Sequence, residues 1–144
     1  MSAEQNKLLI GKLFAEGLNQ RNFAIIDEII GDEYVNHMMP DAKGPEGMRQ
    51  VLGMFFDAFP DMKITVEHII ADGDILATRG HFTGTNNGSF MGAPASGKQI
   101  RAEYVDFWKM KDGKAVENWV QMDVMGIMMQ IGAMTPPVAS AEPA

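Results

Sequence analysis

KITVEHIIADGDILATRGHFTG, residues 63–84, is where the chain changes its period. Before it, apolar residues recur every three or four positions. Within it, β-branched residues form two strand-like runs, 63–71 and 75–84, separated by Asp72-Gly73-Asp74. An Asp-Gly pair between such runs signals a hairpin, because the tight turn needs backbone angles that glycine adopts without strain. The stretch therefore predicts an antiparallel sheet, and the segments on either side decide what covers it.

Upstream, Ile10, Leu13, Phe14, Gly17 and Leu18 follow the spacing of an amphipathic helix over residues 3–19. Asn22 is placed to cap a second helix, FAIIDEII, ended by Gly31. A third helix is expected over GPEGMRQVLGMFFDAF, residues 44–59. Gly44, Pro45 and Glu46 supply a permissive cap, a pre-set first residue and a dipole-matched acid, and Pro60 stops the helix. Downstream, TNNGSFMGAPASGK, residues 85–98, reads as an irregular excursion containing a short strand. IRAEYVDFWKM and AVENWVQM are two further strands joined by KDGK. VMGIMMQIG reads as a closing helix capped by Asp123 and ended by Gly132.

Helices first and strands afterwards predict an α+β fold. Three N-terminal helices should pack on the concave face of a cone-shaped, strongly curved antiparallel sheet, whose mouth forms a ligand pocket. Residues 1–132 are expected to form one domain and residues 133–144 a mobile tail without apolar period. A chain of 144 residues suffices for one such core. With 46% hydrophobic and 22% charged residues it has an ordinary globular composition. No apolar run is long enough to span a bilayer and the first residues are polar, so no membrane association and a cytoplasmic location are expected. The absence of cysteine removes disulfides and thiol chemistry. A net charge of −7 without a basic cluster argues against nucleic acid as a partner. Thirteen methionines, among them Met38, Met39, Met54, Met91, Met122, Met125, Met128 and Met129, suit either plastic core filling or the lining of an apolar pocket.

The candidate chemistry lies in EYVDFW, residues 103–108. Strand alternation puts Tyr104, Asp106 and Trp108 on one face and Val105 and Phe107 on the other. If the first face is enclosed, desolvation raises the Asp106 pKa toward the range of a general acid or base, and Tyr104 can donate to a developing oxyanion. If it is not, Asp106 is a solvated or interfacial acid paired with a Lys or Arg. Arg79 is one possible buried partner. On the next strand Asn118, Val120 and Met122 share a face, with Asn118 a possible amide donor. The segment EYVNHMMPD, residues 33–41, brings Tyr34, Asn36 and His37 to a possible pocket mouth, or else forms a turn in which Asn36 and His37 bond the local backbone. Phe56, Trp108, Val120 and Met122 are expected to form apolar walls. No metal site is expected, because His68 and His81 lack partners at ligand spacing, and no nucleotide-binding fingerprint is present.

Taken together, DEIIGDEYVNHMMP, GPEGMRQVLGMFFDAFPD, DGDILATRGHFTGTNNGSFMGAPASGK and DGKAVENWVQMDVMGIMMQIG resemble the SnoaL-like polyketide cyclases, or ester cyclases. These belong to the nuclear transport factor 2-like superfamily, which also holds ketosteroid isomerase. The resemblance implies a homodimer with a deep hydrophobic pocket, no cofactor, and acid/base catalysis of aldol-type cyclisation or isomerisation on an apolar carbonyl compound. It places a pocket asparagine at Asn36. It also implies two departures: Val120 stands where the founding cyclases carry their catalytic acid, and Asp106 stands where they carry a histidine. The expected catalytic group is thus Asp106, Tyr104 and Asn36, with Tyr34, His37, Phe56, Trp108, Asn118, Val120 and Met122 contacting a small hydrophobic molecule. The alternatives are a binding protein that leaves its hydrophobic ligand unchanged, and a hydrolase or hydratase in which the same aspartate activates water.

Overall fold

The computed structural model describes residues 2–135, so residues 136–144 of the expected tail lie outside the described residues. Three α-helices precede the meander: α1 (Ala3–Lys12), α2 (Phe23–Ile29) and α3 (Gly44–Ala58). Ser2 caps α1 through a reciprocal capping box with Gln5, satisfying two backbone donors at once. The helix then widens into a π-helical turn, Leu13–Leu18, in which the Asn19 N–H reaches back to the Phe14 carbonyl. Asn19 docks this end on the sheet by donating to the Ile64 carbonyl and accepting from the Ile64 N–H, both at 2.8 Å. The wide turn faces the core with Leu13, Phe14, Gly17 and Leu18. Gly44, with φ +66°, opens α3 against the Asp32 carbonyl, and Pro45 occupies the first turn as expected.

The strands are β1 (Ile30–Asn36), β2 (Lys63–Asp72), β3 (Ile75–Thr85), β4 (Gln99–Lys111) and β5 (Lys114–Met122), ordered β1-β5-β4-β3-β2. β2 through β5 form the expected antiparallel meander. β1 departs from the sequence expectation: Gly31 lies inside the strand instead of ending a helix, and the strand runs parallel to β5 at the sheet edge. The sheet is therefore mixed. The excursion between β3 and β4 holds a single bridge between Phe90 and Ala93 in place of a short strand. Between β2 and β3 the register shifts at Val66 and His68, so Glu67 is an extra residue opposite Gly80 and Arg79.

β4 decides the orientation of everything else. Its even-numbered residues from Ile100 to Met110 are buried and its odd-numbered ones exposed. The buried face of β4 meets the π-helical turn, with Phe14 stacked on Tyr104 and edge-on to Trp108, while α1 packs on β2 and α3 on β1. On the outer face Val105, Phe107 and Trp119 stay exposed. The closing helix α4 (Val124–Gln130) is capped as expected. Asp123 accepts from the Gly126 N–H at 2.8 Å, and Gly132 takes φ +82° beyond the helix end. Replacing Asp123 by Ala should cost about 1 kcal/mol in urea unfolding, the loss of one cap. No helix among the described residues is long and apolar enough to cross a membrane.

Candidate active site

Between the buried face of the sheet and the helices lies a cavity of about 80 Å³ with almost wholly apolar walls. The π-helical turn contributes Phe14 and Leu18, α3 contributes Met48, Val51, Leu52 and Phe55, and the sheet contributes Ile64, Phe82, Trp108, Val120 and Met122. Four polar side chains reach this surface: Asn36, Tyr104, Asp106 and Asn118.

Asp106 is 4% exposed. Its Oδ1 accepts from the Thr78 hydroxyl and from the Trp108 indole N–H at 3.0 Å. Strand geometry sets both bonds. Thr78 lies directly across from Asp106 in the β3–β4 register, and Trp108 lies two residues along the same face. Burial pushes the carboxyl up to about 6, against the opposing pull of hydrogen bonds from Thr78, Trp108 and Asn118. The acid therefore exchanges its proton near neutrality, and fixing Oδ1 orients the group as a whole.

Among the described residues the buried Tyr104 hydroxyl makes no hydrogen bond of good geometry. Burial is the main force pushing this phenol up to about 12, against an opposing pull from the nearby Thr78, so it stays a neutral donor at any working pH. Asn118 is held on both sides, accepting from the Tyr34 hydroxyl at 3.2 Å and donating to the Phe107 carbonyl at 2.9 Å. Tyr34 is fully buried behind the cavity wall, with its ring stacked on Trp108. Burial and the Asp106 charge raise its pKa, so it too stays protonated. Asn36 faces the cavity, but its Oδ1 accepts from the Met38 N–H at 2.9 Å, as in the local-turn alternative.

Of the residues expected to contact the ligand, Trp108, Asn118, Val120 and Met122 line the cavity, while Tyr34, His37 and Phe56 do not. His37 points outward, stacked on Trp119 with ring centroids 4.9 Å apart, and Met38 takes its place in the wall. Phe56 sits on the outer side of α3, stacked on Phe23 beneath the Arg21 guanidinium. Its neighbour Phe55 faces the cavity, because adjacent helical residues point about 100° apart. Arg79 is excluded as a partner for Asp106. Strand parity puts it on the exposed face, between Glu67 at 3.5 Å and Glu103 at 3.6 Å. Among the methionines, Met38, Met48, Met62 and Met122 line the cavity, whereas Met54, Met91 and Met125 are exposed.

Thr78 is the site residue that sequence reasoning missed. Alternation within ILATRGHFTG marks it as sharing a face with Leu76 and Phe82. Its partnership with Asp106 depends on a register that the irregular 85–98 segment hides. Among the described residues no cluster of His, Cys, Asp or Glu has the makings of a metal site.

These elements recur in known proteins. TsrD from Streptomyces laurentii has a similar structure, with a TM-score of 0.84 and 26% identity over 93% of this chain and 99% of that one. IdmH from Streptomyces antibioticus, described as a candidate polyketide cyclase, gives a TM-score of 0.76 and 29% identity over 89% of this chain and 99% of that one. A SnoaL-like polyketide cyclase from Agrobacterium tumefaciens gives 0.73 and 25% identity over 85% and 95% of the two chains. No curated protein matches the sequence. The family profile of SnoaL-like polyketide cyclases matches residues 9–131, which take in the cavity from Phe14 to Met122, and the chain belongs to that family.

Proposed function

We propose that the protein is an acid/base enzyme that moves a proton next to the carbonyl group of an apolar substrate, as aldol-type cyclisation or isomerisation requires. The observation that carries this reading is the placement of the buried Asp106 carboxyl and of the Tyr104 hydroxyl, which makes no hydrogen bond of good geometry among the described residues, on one face of β4 at an apolar cavity. Ionised Asp106 takes the α-proton. The electron pair moves onto the carbonyl oxygen, where the Tyr104 hydroxyl stabilises the enolate by donating a hydrogen bond. The protonated carboxyl then returns the proton to carbon. Thr78 and Trp108 hold the carboxylate throughout, Asn118 lies beside it, and Asn36 offers a further polar contact to the substrate.

The test is deuterium uptake. The protein, incubated in heavy water with a small apolar ketone, should catalyse exchange of the α-hydrogens. The rate should rise with pH through about 6, as the carboxylate forms, and then level off. Thr78→Val removes a hydrogen bond that favours the ionised form, so the midpoint of that profile should move to higher pH. A midpoint that stays put in this variant would remove Thr78 from the mechanism.

A second reading draws on Val120, which lines the cavity at the position where the resemblance places the cyclases' acid. On that reading the cavity carries its ligand without altering it. Binding of the ketone without any deuterium uptake above the buffer rate would decide for carriage.

A further inference from the structure

The inner cavity is too small to be a whole binding site. Its volume of about 80 Å³ compares with roughly 300–1,000 Å³ for the sites of drug-sized ligands. Directly outside it lies a groove of about 260 Å³, rimmed by the stacked rings of His37 and Trp119 and mixed polar and apolar in character. Met38, Val120 and Met122 line both spaces and form the partition between them. Two of these three are methionines, whose unbranched side chains turn aside readily. With the partition moved, the two spaces together reach the lower end of the usual range.

The backbone of β5 gives the groove a specific chemistry. β1 ends at Asn36, which pairs with Asn118, and the His37 N–H donates to the Asn118 carbonyl at 2.9 Å. The polar backbone groups of Asn118 therefore point toward β1 and away from β4. In an antiparallel ladder this direction alternates, so those of Val120 and Met122 point the same way. The Asp123 N–H, which bonds the Glu103 carbonyl of β4, confirms the alternation. Beyond the end of β1, no strand among the described residues pairs with Val120 and Met122 on the side away from β4, and both residues line the groove.

We propose that this uncovered edge is a second subsite, which binds a carbonyl- or amide-bearing arm of the substrate as a neighbouring strand would. The proposal rests on the reading that the inner cavity receives the reacting apolar carbonyl. The ligand is then an elongated molecule with an apolar ketone end inside and a hydrogen-bonding arm lying along Val120 and Met122.

Three probes test it: cyclohexanone, cyclohexanone carrying a short N-alkyl amide arm, and the same ring with a hydrocarbon arm of equal length. Affinities are read from tryptophan fluorescence, and hydrogen exchange of the Val120 and Met122 amides from NMR. The amide arm should bind about 3–10-fold more tightly than the hydrocarbon arm, the gain of one or two net hydrogen bonds, and should slow exchange at either or both amides. Cyclohexanone alone should leave both unchanged. Equal affinity of the two arms, or unaltered exchange with the amide arm bound, would overturn the subsite while leaving the inner cavity's role intact. Failure of all three probes to bind would overturn both. An unrelated extended peptide that protects the two amides as well as the armed ketone would reassign the edge to protein strand addition.

Discussion

Asp106→Asn is expected to lose deuterium exchange by roughly 10²–10⁴-fold and to be the more stable protein above pH 6. The two effects have one origin. The carboxyl titrates near 3.8 when unfolded and at about 6 in the folded chain, because burial disfavours its charge. Between those values the folded protein keeps a proton that the unfolded chain has released, so stability falls as pH rises through the window. Above pH 6 the whole penalty persists, about 3 kcal/mol for a two-unit shift. Asparagine keeps an oxygen to accept from Thr78 and Trp108 but has no charge to desolvate. Urea unfolding should therefore show the variant more stable by about 2–3 kcal/mol at pH 8 and close to wild type at pH 4. If the gap between the two proteins is the same at both pH values, Asp106 titrates as an ordinary surface acid and its catalytic role fails with it.

Gly80→Ala should be among the most damaging single substitutions, costing about 3 kcal/mol or more. A Cβ at this position would lie 1.9 Å from the Thr65 carbonyl oxygen and 3.1 Å from the Val66 Cα, both main-chain atoms of β2. Neither can rotate away, so β2 must separate from β3 where the register shift brings it close. Thr78 is two residues along β3, so the displacement would also disturb the hydroxyl that holds Asp106. Gly53→Ala is the control. It has open space around its Cβ position within α3 and should be neutral or stabilise by up to about 1 kcal/mol. The comparison is made on urea midpoints, and equal midpoints for the two variants would refute the close-contact account.

What was legible in the sequence was whatever depended on local period. Alternation in EYVDFW put Asp106 between two aromatic residues on one face, and the structure has that face buried. The helices over 3–19 and 44–59, the Asp72-Gly73-Asp74 turn and the Asp123 cap follow from short-range chemistry. What stayed hidden depended on partners distant in sequence. β1 carries adjacent acids at Asp32 and Glu33 and little alternation, because it is an edge strand whose parallel partner, β5, lies far along the chain. The sequence expectation of a helix end at Gly31 and then a pocket-mouth segment or turn misses this strand, and His37, just past its end, stacks on Trp119 outside the cavity. Phe56 was mistaken for Phe55 because helical spacing fixes a stripe but not its absolute rotation.

The parallel pairing of β1 with β5 also bears on how the protein is made. Tyr34 and Asn118, bonded at the candidate site, are 84 residues apart. During translation the first strand emerges early and must wait for the last, roughly several seconds at about 5–20 residues per second. Until then the nascent chain exposes Tyr34 and Val35 without the partner that will cover them, and no shortened product ending before Lys114 can assemble the chamber. Closing this long loop carries its chain-entropy cost before the β1–β5 contacts form, and ribosome-bound chains awaiting β5 are where a chaperone would act.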